Sequence, residues 1–235
     1  MSAESTREVE RIRAVYAGYD DENPARWSAA NPGNRANHRD RARKLERALR
    51  EAGLFPLGER RVLDVGCGEG DLLLLFAEWG ARRENLVGVD LLDHRVRAGR
   101  RAHPGLDLRQ GNAEALEFAD ASFDVVFFST VFSSILDDGM AEGVAREAAR
   151  VLRPGGVVLW HDVRYGNPRN PHLRGMPRRR VEALFPGFRV RLRTASVLPP
   201  LVRRLGPLTG PLFPVLNAIP FLHSHLLGVL VKPGA

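Results

Sequence analysis

The segment Leu63-Asp64-Val65-Gly66-Cys67-Gly68-Glu69-Gly70-Asp71 limits what this chain can fold into more than any other. A short apolar run, Val62 to Val65, ends in glycines set two residues apart, and an apolar stretch from Asp71 to Trp79 follows. Strand, glycine turn and buried helix open a βαβ unit, and in that setting the glycines let the backbone turn tightly and approach a ligand. Their spacing narrows the ligand. A dinucleotide fingerprint would put its third glycine at position 71, where Asp71 stands, and no Gly-Lys-Ser/Thr follows to make a Walker loop. Asp64, two residues ahead of Gly66, suits an ammonium group or the orientation of the loop, and is poorly suited to a pyrophosphate.

The alternation continues. Leu86 to Val89 predicts a second strand ending at Asp90, and a helix follows through His94 to Arg101. Leu106 to Arg109 is a weaker third strand, and Phe123 to Phe128 is a fourth, apolar on both faces. Met140 to Leu152 is amphipathic and stops at Arg153-Pro154-Gly155-Gly156, where proline cannot continue a helix and glycine takes the turn. Val157 to Trp160 is a fifth strand, and Phe188 to Ala195 and Leu226 to Val231 are two more. Continuous apolar strands alternating with helices predict a mostly parallel, doubly wound α/β sheet covered on both faces, with ligands beyond the carboxyl ends of the strands. Ahead of it, residues 1–55 read as a polar helical cap, its two helical pieces parted by Asn31-Pro32-Gly33-Asn34.

A chain of 235 residues suits one such domain, residues 56–235. Its formal charge of +7 comes almost wholly from arginine, since Lys44 and Lys232 are the only lysines. The arginines are scattered among acidic residues, as in Arg146-Glu147, and no aromatic-interleaved basic strip marks a nucleic-acid surface. With Cys67 the only cysteine, neither an intrachain disulfide nor a cysteine zinc site can form, which fits a reducing cytoplasm; the charged N-terminal stretch lacks a signal core.

Taken in order, Val62 to Gly70, Val87-Gly88-Val89-Asp90, Gly111-Asn112-Ala113-Glu114-Ala115-Leu116, Phe123-Asp124-Val125-Val126 and Leu152 to Gly156 resemble the motifs of class I S-adenosylmethionine methyltransferases. The likeness is to the branch of quinone-biosynthesis, natural-product and glycan enzymes, and it covers about 61–162. It implies a seven-stranded Rossmann-like sheet with an antiparallel last strand and S-adenosylmethionine as cofactor. It further implies that Asp64 and the backbone of Gly66, Cys67, Gly68 and Gly70 face the methionine part. Asp90 would hold the ribose hydroxyls, Leu91 would pack on the adenine, Asn112 and Ala113 would read its edge, and Ser129 would border the methionine amine. Relatives commonly have aspartate where Asn112 stands; asparagine both donates and accepts, so adenine recognition survives the change.

Methyl transfer from a sulfonium needs alignment and exclusion of water, and an oxygen acceptor also needs a base. His161, after the fifth strand, is the candidate base, with backbone pairing as its alternative use. Arg164, Tyr165 and Asn167 open a hydrogen-bonding loop that suits a polar or sugar-like acceptor, and Tyr16, Tyr19 and Trp27 are expected on the other side of the pocket. The residues after the fourth strand, Phe128 to Phe132, lack both the Pro-Pro loop of amino-methylating nucleic-acid enzymes and the aspartate of metal-dependent ones, so no metal is expected. From Leu205 to Val231 there is no Asp, Glu, Lys or Arg, and prolines at 207, 211, 214 and 220 break the stretch. Residues 196–225 therefore read as an apolar lid on the acceptor pocket, or as an element touching lipid. The leading expectation is O-methylation of a small molecule such as a sugar, glycan precursor or natural product. A lipid or quinone methyltransferase at a membrane surface follows, then RNA modification, which rests on charge alone, then a non-catalytic cofactor-binding protein. Acceptor and oligomeric state are not written in the sequence.

Overall fold

The structure, a computed structural model, describes residues 3–22 and 28–234. A seven-stranded sheet in the order β3-β2-β1-β4-β5-β7-β6 forms its centre. β1 (Val62–Val65), β2 (Leu86–Asp90), β3 (Asp107–Gln110), β4 (Phe123–Ser129) and β5 (Leu152–Val163) run parallel, and β7 (His223–Val231) lies antiparallel between β5 and β6 (Arg189–Val197). Strand order reverses between β1 and β4, so the ends of these two strands open the crevice where ligands bind in such sheets. β5 starts earlier than its apolar run predicts: Leu152 already pairs with Phe123, and Pro154-Gly155-Gly156 is taken up as an irregularity before Val157 pairs with Val125.

Two apolar layers cover the sheet. On one face, α5 (Asp138–Val151) and α6 (Arg178–Leu184) bury Met140, Val144, Ala148 and Val181, and α1 (Ala3–Glu22) adds Val9 and Ile12. On the other, α3 (Asp71–Glu78) buries Leu73 and Phe76, and α4 (Asp93–Ala102) buries Val96. α2 (Pro32–Glu51) joins this second layer through Leu45, Ala48 and Leu49. The first 55 residues are thus not a single cap. α1 lies over the carboxyl edge, whereas α2 is part of the core. α2 begins where the turn cluster was expected, because Asn31 accepts hydrogen bonds from the amides of Gly33 (2.9 Å) and Asn34 (3.2 Å), and Pro32 fits the first turn of a helix.

The apolar stretch between β6 and β7 folds into α7 (Pro199–Arg204) and α8 (Thr209–Asn217), flanked by 3₁₀ turns. It packs on the N-terminal half of α2. Asn37 donates to Val197 O (2.8 Å), Asn31 to Arg203 O (3.2 Å), and Asn217 joins Asp40 and Lys44. No helix among the described residues is long and apolar enough to cross a membrane.

Candidate active site

Gly66 of the glycine turn lines a cleft at the carboxyl edge, while Cys67 and Gly68 border a second depression that shares Arg95 with it. Gly66 and Gly68 have φ of +75° and +57°, a region that L side chains seldom adopt. At Gly66 space is short as well, since a Cβ there would lie 2.6 Å from Val131 Cγ2. Asp90 pins the turn from β2: one carboxylate oxygen accepts from Gly68 N (2.7 Å), the other from Leu92 N (2.8 Å). Each oxygen keeps a further lone pair for a ligand hydroxyl.

Val65, Gly66, Asp90, Leu91, Asn112, Ala113 and Ser129 line this cleft together, as their positions at strand ends predict. From the other side, α1 contributes Ile12 and Tyr16. Tyr16 is held over the cleft by its hydroxyl, 2.7 Å from Ser134 Oγ, and by Arg95 stacked on its ring at 4.9 Å. α1 itself is fixed by Glu8, whose carboxylate accepts from Leu136 N (2.5 Å), and by a contact between Ser5 and Glu114. Asn112 turns its amide oxygen to Glu114 N (3.0 Å), while its residue still borders the cavity. Cys67 points behind the turn, where a Cβ on Gly88 would sit 2.7 Å from its sulfur, and burial pushes its thiol far up. Gly70 starts α3 with a left-handed residue.

Other expected contacts are not in the cleft. Tyr19 lies edge-on to Tyr16 at 5.6 Å but accepts from Asn170 Nδ2 (2.8 Å) at the surface. Arg164 stacks on the exposed Tyr165 ring at 4.7 Å, and Asn167 Oδ1 closes its own loop on Arg169 N (3.0 Å). Trp27 lies outside the described residues.

The face of the sheet under α2 carries an unusual polar group. Asp64 is 1% exposed, and neither carboxylate oxygen has a hydrogen-bond partner. Burial, with the nearby Asp90, raises its pKa to about 8, while Arg41 on α2 lowers it. Arg41 Nε is likewise buried and unbonded, and burial lowers the guanidinium pKa against the pull of Asp64. His161 sits further along on β5, 3% exposed, its Nδ1 3.2 Å from Ser129 Oγ and its Nε2 3.2 Å from Ser196 Oγ. Burial, then the charge fields of His225, Arg41 and His38, lower its pKa well below 6.5, so it is neutral. His225 stacks on it.

Residues 62–156, which supply most of this cleft, match the family model described as a methyltransferase domain. The phthiotriol/phenolphthiotriol dimycocerosates methyltransferase of Mycobacterium ulcerans is 38% identical over 120 residues, 50% of this chain and 43% of that protein. The ubiquinone biosynthesis O-methyltransferase of Paracidovorax citrulli is 36% identical over 120 residues, covering 47% of each. The chain carries a class I S-adenosylmethionine methyltransferase domain. It spans less than half the length of these curated relatives. The methyltransferase domain also has the fold of a solved S-adenosylmethionine-dependent methyltransferase from Mesorhizobium loti, with a TM-score of 0.60 at 18% identity over 79% of this chain and 96% of that one.

The residues of the methyltransferase domain fit its cofactor, S-adenosylmethionine. A buried carboxylate and a buried guanidinium face each other's fields without bonding, so each lacks a partner of opposite charge at contact. An α-amino acid between them would supply an ammonium to one and a carboxylate to the other. Arg41 and His38 are the residues that the strand-end pattern of the methyltransferase domain passes over. Their signal is a helical stripe, Asn34, Asn37, His38, Arg41, Leu45 and Ala48, in which polar side chains continue an apolar face toward the sheet edge.

Proposed function

We propose that the chain transfers the methyl group of S-adenosylmethionine to a hydroxyl of a small acceptor. The observation that carries this reading is the buried, unbonded Asp64–Arg41 pair behind the glycine turn, together with a cleft lined by Gly66, Asp90, Leu91, Asn112 and Ala113. In this reading Asp64 and Arg41 hold the two charges of the methionine end. The amides of Gly66, Cys67, Gly68 and Gly70 lie along it, and Ser129 borders the amine. Asp90 takes the ribose hydroxyls, Leu91 packs on the adenine, and Asn112 and Ala113 border its edge. The cofactor supplies an electrophilic methyl carbon on a sulfonium. Tyr16 and Ile12 exclude water from the α1 side, and His161, whose Nδ1 lies 3.2 Å from the cleft-lining Ser129 Oγ, is the base that receives the acceptor's proton. Isothermal calorimetry tests the cofactor half: S-adenosylmethionine and its demethylated product give binding heat and NADH gives none. The reverse result would end the proposal.

For the acceptor, the lipid or quinone class has the better support. The loop Tyr165 to Asn170, whose composition suits a sugar, lines no part of the cleft. Among the described residues, every exposed large apolar side chain other than two tyrosines lies between 198 and 221: Leu198, Leu208, Leu212, Val215 and Phe221, the last 76% exposed. Arg203 and Arg204 close α7 beside them, and the exposed Arg39 and Arg43 lie on the helix that carries the insertion. Apolar side chains framed by arginines fit an anionic membrane surface. Two of the relatives are named for lipid and quinone substrates. Co-flotation with phosphatidylglycerol vesicles, weakened in Phe221→Asp and absent with pure phosphatidylcholine, is expected. Equal flotation of wild type and Phe221→Asp would remove the surface from consideration.

A further inference from the structure

The meeting of Asn112 with the adenine edge, the reading on which this inference rests, draws in Glu114, two residues further on. Glu114 does not itself line the cleft, yet its half-buried side chain joins three parts of the domain. Oε2 accepts from Asn112 Nδ2 (3.4 Å), in the loop after β3, and from the hydroxyl of Ser5 on α1. Oε1 faces Gly143 on α5, where a Cβ would come within 3.2 Å of it. Ser5 is 2% exposed and Gly143 is buried, so the carboxylate is enclosed where α1, α5 and the loop meet.

The backbone of Glu114 holds the same amide by its other end, its N–H donating to Asn112 Oδ1 (3.0 Å). A backbone N–H only donates and a carboxylate only accepts, so the two contacts together settle which end of the Asn112 amide is oxygen and which is nitrogen. At 3.4 Å the bond to Oε2 is long, and its weight lies in opposing the flip: an inverted amide would set oxygen against carboxylate and NH₂ against N–H. This matters because Asn112 borders the cleft. The 6-position of a purine carries either an amino group, which donates, or an oxo group, which accepts. An amide locked one way round tells the two apart, whereas one that flips serves either. An aspartate at 112 would put a second carboxylate against Glu114, and like charges at contact repel.

We propose that Glu114 is a positioning residue for cofactor selectivity: it locks the Asn112 amide against the adenine edge and, through Ser5, anchors α1 at the same point. The reading of the base and the closing of the cleft by Ile12 and Tyr16 of α1 thus share one carboxylate.

S-adenosylhomocysteine and its 6-oxo counterpart, S-inosylhomocysteine, serve as probes in calorimetry on the full chain. Wild type prefers the adenosyl compound by at least about tenfold. In Glu114→Ala that preference falls about fivefold, the worth of one weak hydrogen bond, and hydrogen exchange in the first turns of α1 quickens in the S-adenosylhomocysteine complex. Glu114→Gln keeps an acceptor oxygen and holds both properties near wild type. Asn112→Asp weakens S-adenosylhomocysteine binding and loosens α1, and adding Glu114→Gln restores both, because one amide again faces one carboxylate. A preference unchanged in Glu114→Ala, α1 exchange unchanged there, or additive losses in the Asn112→Asp/Glu114→Gln pair would each overturn the proposal. Failure of the adenine-edge reading is distinct: it appears as a wild type indifferent to the two probes, or as a preference that survives Asn112→Ala.

Discussion

Asp64 is buried where a negative charge is disfavoured, and this has a sign that can be measured. Folded, it keeps its proton to about 8, whereas an unfolded chain releases it near 3.9. The folded state therefore binds more protons between those values, and this residue's contribution to cofactor-free stability is present below about pH 4 and lost as pH rises to about 8. Thermal melts of Asp64→Asn without cofactor should exceed wild type at pH 8, by on the order of a few kcal/mol, and converge with it near pH 4. The same variant loses at least about tenfold in cofactor affinity in calorimetry, since it gives up a charged partner. His161 and His225 act in the other direction: their lowered values make the folded state resist protonation, so stability falls as pH drops below about 6.5. Gly66→Ala forces a side chain into a left-handed position 2.6 Å from Val131 Cγ2. It should cost about 1–3 kcal/mol in denaturant melts, and trimming Val131 to alanine should restore only the steric part.

At the level of elements, α1 is the part of the cleft wall most easily loosened. Glu8 is one of its ties to the domain, taking the amide of Leu136, beside Arg11 to Ser134 O and Tyr16 to Ser134 Oγ. Glu8→Ala leaves a part-buried amide without its acceptor, a loss of about 1–3 kcal/mol. Hydrogen exchange should then quicken in 3–22 while β1 and β4 stay protected, and the cofactor off-rate should rise; unchanged exchange in α1 would contradict its role as the cleft's roof. The strands are legible in the sequence because each buries apolar side chains on a pattern that helices do not share. Gly66, Asp90, Leu91, Asn112, Ala113 and Ser129 are legible because they follow strands directly. α2 reads as cap and is core. Its N-terminal half buries Asn34, Asn37 and Asp40, and polar residues under tertiary contacts look like a solvated face until their partners are known. The insertion is also hard to place from sequence, since a proline-broken apolar stretch says that something is covered but not what. Its partner is the first half of α2, and none of its residues lines the cleft.

For the molecule as a whole, the cofactor would join α1, the glycine turn and α2 into one unit. At 100 times its dissociation constant it should add about 2.7 kcal/mol, and a melting rise of roughly 5–11 °C for a chain of this size; no rise would argue against a closed cleft. A broader consequence follows from the reversal of β7. Because this strand runs against its neighbours, its first residues, not its last, arrive at the ligand edge, and pairing on both sides locks their alternation. The segment joining it to β6 is therefore free to vary in length and character while the ladder beside His161 keeps its register. Exchange of 198–222 between related proteins should redirect which compounds or surfaces are visited and leave the chemistry intact, a modular arrangement in which address and reaction are written on separate stretches of one chain.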